Sequence, residues 1–183
     1  MSRLFEYLVE VRATTREAFA EKYPNAFLVL QQSGDQVASA GGQWSFKTQT
    51  ISNTSMQAAQ VMAKEGVRIS PELAHSEVFP VVKSLSNPWP ERISVGRARN
   101  NDIVLQDNSV SKLHGHFVHS PTGATMLVDA GSRNGIWINS RQLAAGQSIP
   151  VAPGDTITFG GTALTYLDAA GLWDLVQQHL QKP

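Results

Sequence analysis

The chain has 183 residues, 42% of them apolar, with 15 basic and 15 acidic side chains and no cysteine. That composition can build a packed core, and its cancelled charge provides no global field for nucleic acid or an anionic membrane surface. The missing cysteines exclude disulfides, thiolate metal sites and cysteine nucleophiles. They fit a reducing, cytoplasmic setting, as does the charged first stretch with Arg3, Glu6, Glu10, Arg12, Arg16 and Glu17.

Taken in chain order, Leu4, Tyr7, Leu8 and Val11 follow helical spacing, although Phe5, Tyr7, Val9 and Val11 also alternate as a strand would. Thr14-Thr15-Arg16-Glu17 resembles a capping box that restarts a helix, and Pro24 ends it. A strand is expected over Ala26–Leu30, another over Gln43–Thr48, and a helix over Ser55–Glu65 that stops at Gly66. Residues 1–74 therefore read as a small α+β unit with no motif that carries chemistry.

From there the character changes. Nine of the fourteen glycines fall between Gly96 and Gly161, which marks many tight turns. Between them lie short β-type runs: Val78–Val82, Arg92–Val95, Ile103–Leu105, Gly115–His119, Thr125–Val128, Ile136–Ile138 and Thr156–Phe159. Short strands at this spacing predict a mainly β sandwich over 75–168. Asn87-Pro88-Trp89-Pro90 predicts a turn between the first two. In the tail, 169–183, Leu172, Leu175, Val176, His179 and Leu180 share one face of an amphipathic helix, suited to docking on the sandwich, on the N-terminal unit or on a second copy.

An ordered set of small motifs runs through the β region. It comprises Gly96-Arg97, Asn101-Asp102-Ile103, Ser111-Lys112-Leu113-His114, Asp129, Ser132-Arg133-Asn134-Gly135, Asn139 and Gly154-Asp155-Thr156-Ile157-Thr158-Phe159-Gly160. Each is weak alone. In this order, over about half the chain, they resemble the forkhead-associated (FHA) family, whose members bind phosphothreonine in partner proteins. The resemblance implies an FHA-type β-sandwich, here preceded by the α+β unit and followed by the helix.

A phosphothreonine brings about −1.5 to −2 charges and three acceptor oxygens, so its site needs a guanidinium, a hydroxyl or amide donor and convergent backbone N–H groups. By resemblance Arg97 contacts the phosphate and the Ser111 hydroxyl donates to it. Lys112 adds a flexible point charge or simply faces solvent. Asn134 holds the peptide backbone, while Gly96, Ser132, Gly135 and Asn139 shape the loops. Asn134-Gly135, met alone, is also a strong signal for a type I′ turn. Arg133 departs from the threonine common at its position and either joins the phosphate contacts or points into water. Ser140, where glycine is common, is a milder departure. Ser109 and the 98–110 loop are candidates for reading the peptide beyond the phosphothreonine.

His114-Gly115-His116-Phe117-Val118-His119 invites a metal reading. On a strand, however, His119 faces away from His114 and His116, and no acidic group completes a shell. In the family this first histidine braces the binding loop. Ser111 and His114 could be imagined as nucleophile and base, but three apart on a strand they would face opposite ways. Paired carboxylates and a nucleotide-binding loop are missing as well. The expectation is a binding module with no catalytic residue, no metal and no cofactor.

The implied partner is a phosphothreonine-containing protein, with a Ser/Thr kinase upstream and neither nucleic acid nor membrane. The alternative on the same fold is a phosphate-independent scaffold or homodimer that uses a sheet face or the C-terminal helix. Thr14-Thr15 has a second reading too. Some small bacterial members carry a phosphorylated N-terminal threonine pair that folds back into their own site.

Overall fold

Short β-branched and aromatic runs punctuated by glycine turns build two sheets in the computed structural model, which describes residues 2–30, 68–69 and 76–181. The strands are β1 (Ser2–Arg3), β2 (Phe27–Leu30), β3 (Arg68–Ile69), β4 (Glu77–Pro80), β5 (Ile93–Gly96), β6 (Ile103–Val104) and β7 (Gly115–His119). There follow β8 (Thr125–Asp129), β9 (Ile136–Ile138), β10 (Arg141–Leu143), β11 (Ser148–Pro150), β12 (Thr156–Phe159), β13 (Thr162–Leu167) and β14 (Leu180–Gln181). One sheet runs β1-β4-β2-β13-β12-β9-β10 and the other β11-β8-β7-β5-β6; the pair β14-β3 stands apart. The expected strand at Gln43–Thr48 and helix at Ser55–Glu65 lie outside the described residues.

All neighbours are antiparallel except β5 and β6, which pair Val95 with Ile103 and Gly96 with Val104 in parallel. The inner faces of both sheets bury Leu28, Val95, Phe117, Leu127, Ile136, Ile157, Phe159 and Leu164. Strand β2 comes from the N-terminal region, yet it lies inside the larger sheet, between β4 and β13. Successive strand residues point to opposite faces. Leu28 therefore joins the sandwich core, while Phe27 and Val29 face the other way, into a second core.

That second core is helical. Residues Leu4–Tyr7 form a 3-10 turn that runs into α1 (Leu8–Ala13), followed by α2 (Arg16–Lys22) and, at the C-terminus, α3 (Ala169–His179). The helical reading of Leu4, Tyr7, Leu8 and Val11 prevails over the strand reading, because all four are buried against one face. The capping box is corrected. Thr15, not Thr14, caps α2, its hydroxyl accepting from Ala18 N at 3.2 Å, whereas Thr14 Oγ1 donates back to the Glu10 carbonyl at 2.7 Å. Position N3 is thus Ala18, which has no side chain to reciprocate, and Thr15 acts as a simple N-cap.

Helix α3 begins at Asp168, whose carboxylate accepts from Gly171 N. Its Leu172 and Val176 are fully buried against Leu8, Val11 and Phe19, so the apolar stripe packs inside the chain. Arg16 and Asp174 close the layer with a two-pronged pair at 2.9 and 2.8 Å.

Six strands go beyond the sequence reading: the two-residue β1, β3 and β14, and the longer β10, β11 and β13. β10 (Arg-Gln-Leu) has a polar composition, and β11 contains a proline, tolerated because it is an edge strand. β13 follows β12 through the two-residue turn Gly160-Gly161, where Phe159 pairs with Thr162. Among the described residues no helix is long and apolar enough to cross a membrane.

Candidate functional site

The loop from 105 to 114 carries Ser111 and His114 and lies over the end of β5. Gly96 makes that approach possible, since a Cβ there would collide with the Lys112 carbonyl and come within 3.0 Å of Leu113 Cα. Backbone bonds then stitch the two segments together. Arg97 N donates to Ser111 O at 2.9 Å, Ala98 N to Lys112 O at 3.1 Å, and His114 N to Val95 O at 2.8 Å. Buried Asn101 completes the clamp, its amide reaching the carbonyls of Ala98 (2.8 Å) and Lys112 (2.7 Å).

His114 is completely buried and joins two loops. Ser111 N donates to its Nδ1 at 3.0 Å, and its Nε2 lies 2.9 Å from the Gly135 carbonyl. This pattern fits the tautomer with the proton on Nε2. Phe159 meets the ring edge-on, with centroids 5.8 Å apart.

Ser111 and His114 both precede β7 and lie in a loop, so the strand alternation assumed for them does not apply. The ring takes the Ser111 amide rather than its hydroxyl, which leaves no nucleophile–base pair. The Ser111 hydroxyl instead accepts from Arg133 N at 3.0 Å, so its own proton is free to donate outward.

Ser132, Arg133, Asn134 and Gly135 form the opposing loop. Asp129, buried at the end of β8, receives Ser132 N at 2.7 Å and Ser132 Oγ at 3.0 Å. Asn134 Nδ2 donates to the Ser109 carbonyl at 2.7 Å and ties this loop to the first. Gly135 has φ +76°, and a side chain there would press on Gln142 and Trp137. The two-residue I′ geometry occurs further on. Asn139 (φ +48°) and Ser140 (φ +69°) connect β9 to β10. Asn139 also bridges to β12, donating to Asp155 at 2.7 Å and accepting from Thr156 N at 2.9 Å.

Between the loops lies a cleft of about 360 Å³, lined by Arg97, Asn108, Ser109, Val110, Ser111, Lys112, Leu113 and Arg133. It thus gathers Arg97, Ser111, Lys112 and Arg133, while Asn134 stands beside it through Ser109 and the shaping residues lie beneath. Arg97 Nε donates to the Val110 carbonyl at 3.3 Å, which directs the rest of the guanidinium away from that bond. The amides of Lys112 and Leu113 have no acceptor among the described residues. Ser109 is engaged internally. Its hydroxyl donates to Asp107 at 2.6 Å and accepts from Gly161 N at 2.8 Å, so its proton is not available to a ligand.

Asp107 is a brace that sequence reasoning missed, and so are Asn87 and Asp102 on the flank of β5. Asp102 is enclosed by Ser84 N (2.7 Å), Ser94 N (2.7 Å), Ser94 Oγ (3.0 Å), Lys83 Nζ (3.1 Å) and the Asn87 amide. Burial alone would raise its pKa, but donation from Asn87 and from the Ser84 and Ser94 amides outweighs that. The carboxyl stays below the ordinary carboxylate range. The Asn-Asp pair of the 101–103 motif was the available signal; Asn87 carried none beyond its turn.

The histidine run disperses. His114 is buried in the loop, His116 is half-buried on β7 and His119 is exposed. Burial and the nearby Arg92 push the His116 imidazole below its ordinary value. Among the described residues no group of three or more ligating side chains could hold a metal ion.

Residues 93–160 match the family model of the FHA domain. An ABC transporter ATP-binding/permease protein of Mycobacterium tuberculosis is 33% identical over 79 residues, 43% of this chain; the chain spans 9% of that relative's length. The solved FHA-2 domain of that transporter is 28% identical with a TM-score of 0.39, over 48% of this chain and 76% of the other. The FHA domain of CT664 from Chlamydia trachomatis is 17% identical with a TM-score of 0.45, over 78% and 97%. EmbR of Mycobacterium tuberculosis, solved in complex with a low-affinity phosphopeptide, is 19% identical with a TM-score of 0.43, over 63% and 30%. The family match spans the strands and loops that build the cleft, so residues 93–160 are similar to the forkhead-associated domain.

Proposed function

We propose that this protein is a phosphothreonine-dependent interaction module that recruits phosphorylated protein segments into the cleft, downstream of a Ser/Thr kinase in the cytoplasm. One observation carries the reading. The cleft holds Arg97, Lys112, Arg133 and a Ser111 hydroxyl with a free proton, and no carboxylate of the described residues lines it. A phosphate dianion there would meet a planar guanidinium, a hydroxyl donor and the amides of Lys112 and Leu113, the combination such an anion requires. The Asn134 side-chain oxygen accepts no hydrogen bond from the described residues, which leaves it for the backbone of the bound segment.

A flexible peptide held by a few residues should bind with micromolar affinity, about −7 to −8 kcal/mol. Titration against a degenerate peptide pool in phosphothreonine, phosphoserine and unmodified forms tests the reading. Only phosphorylated pools should bind, with phosphothreonine preferred by about 10–200-fold if one methyl group is read by an apolar pocket. Arg97→Ala should cost about 2–5 kcal/mol of binding while the domain stays folded, because the desolvated phosphate loses its charge partner. Near-normal binding by that variant would refute the assignment of Arg97. The dimer alternative loses one of its two surfaces, since the apolar stripe of α3 is already covered by α1 and α2.

A further inference from the structure

The cleft concentrates more positive charge than one phosphate can neutralise. Arg97, Lys112 and Arg133 line it, and none is ion-paired among the described residues. Arg99, two residues beyond Arg97, is exposed and also has no partner among the described residues. The carboxylates carried by these loops are engaged elsewhere. Asp107 receives the amide and hydroxyl of Ser109, and buried Asp129 receives those of Ser132. A phosphothreonine carries about −1.5 to −2 charges at neutral pH, so three facing cations leave about one positive charge unmatched. The chain as a whole is neutral, which makes this excess a local feature of the cleft rather than a property of its surface at large.

Arg133 is the residue best placed to take up a second charge. Its amide is fixed on Ser111 Oγ, so the backbone is anchored at the wall of the cleft, while its side chain is exposed and has no partner among the described residues. A guanidinium fork fits a carboxylate and a phosphate equally well, and the neighbouring Lys112 ammonium supports either as a point charge.

We propose that the preferred ligand is a protein segment in which a second anionic group, carboxylate or phosphate, adjoins the phosphothreonine, and that Arg133 with Lys112 receives it. The inference rests on the phosphothreonine reading of the cleft and narrows it to a class of partner.

The test titrates the full chain with peptides of one sequence: phosphothreonine with neutral flanks, phosphothreonine beside glutamate, two adjacent phosphothreonines, and the glutamate peptide without phosphate. At least one doubly anionic phosphopeptide should bind about fivefold or more tighter than the neutral-flank peptide, the factor that one favourable exposed ion pair supplies. The gain should shrink as salt rises, and Arg133→Gln should remove most of it. A gain with glutamate, with the second phosphate or with both identifies the source of the charge and supports the proposal. Equal binding of all three phosphopeptides overturns the inference and leaves the phosphothreonine reading standing. No binding of any phosphopeptide overturns both. Loss by the same factor on every phosphopeptide in Arg133→Gln overturns the assignment of the second anion to Arg133.

Discussion

In the helical layer Tyr7, Phe19, Tyr23 and Phe27 meet ring to ring at centroid distances from 4.8 to 6.3 Å, within a core that also takes Leu8, Val11, Leu172 and Val176. Around the cleft, by contrast, the joints are directional: Asn101 on two carbonyls, His114 between an amide and a carbonyl, Asp129 beneath Ser132, Asn134 on Ser109. Apolar packing is strong but broadly tolerant of chemistry, because it scales with buried area. Hydrogen-bonded loops contribute less energy per contact but fix positions, and a donor or acceptor left without its partner costs more than the bond gained. The layer should therefore govern stability and the cleft should govern affinity.

The largest expected effect tests that division. Phe27 is fully buried, and Phe27→Ala should cost about 3–5 kcal/mol of stability in chemical denaturation. The folded fraction should still bind a phosphothreonine peptide with unchanged affinity. A parallel loss of affinity would mean that the layer sets the cleft geometry through β2, and the division would fail.

Asp102 sits between the two regimes, a buried charge whose role is structural. Asp102→Asn should cost about 3–5 kcal/mol, because the Lys83 ammonium and the two backbone amides lose their anion while the new amide hydrogens oppose the Asn87 donor. The pH dependence follows from the lowered folded pKa. The stabilisation is complete above the unfolded value of about 3.9 and is lost as pH falls below it toward the folded value. Denaturation midpoints at pH 7 and pH 3 should converge for the variant relative to the unaltered protein. An unaltered protein equally stable at both values would contradict the role given to Asp102.

The sequence was most legible where one residue type performs one local task. Seven short strands between Val78 and Phe159, the C-terminal helix and the motif loops all follow from alternation, helical spacing and turn residues within a few positions of one another. The mainly β FHA-type sandwich could be read on that basis. What escaped depends on distance along the chain. Nothing local in Phe27–Leu30 says that it pairs with Thr165–Leu167, or that Arg16 meets Asp174. The same holds inside the cleft. Arg97, Ser111, Lys112 and Arg133 lie 36 positions apart at most, and the motif order gathers them, but the braces Asp107 and Asn87 act through backbone groups that no side-chain pattern reveals.

His114 offers a mid-sized test on the directional side. His114→Ala leaves Ser111 N and Gly135 O without their partner in a buried site, which should cost about 2–3 kcal/mol of stability. Because both groups belong to cleft loops, affinity should fall as well, unlike in Phe27→Ala. Amide exchange at Ser111 should accelerate more than exchange within β2. Unchanged affinity in the folded variant would reduce His114 to a core residue.

The smallest effect separates backbone strain from hydrogen bonding at two adjacent positions. Asn139 and Ser140 both have positive φ, a region that non-glycine residues enter at a cost. Ser140 is exposed and its side chain has no hydrogen-bond partner among the described residues, so Ser140→Gly removes strain and loses no contact. It should raise stability by about 0.5–1 kcal/mol, the relief being partly offset by the extra freedom glycine gives the unfolded chain. Asn139→Gly relieves the same kind of strain but forfeits the bonds to Asp155 and Thr156, which hold β12 against the hairpin. Its net effect should be a loss of about 1 kcal/mol. Opposite signs at neighbouring residues of like φ would show that the loops are held by named hydrogen bonds rather than by turn propensity. Stabilisation by both substitutions would show the reverse.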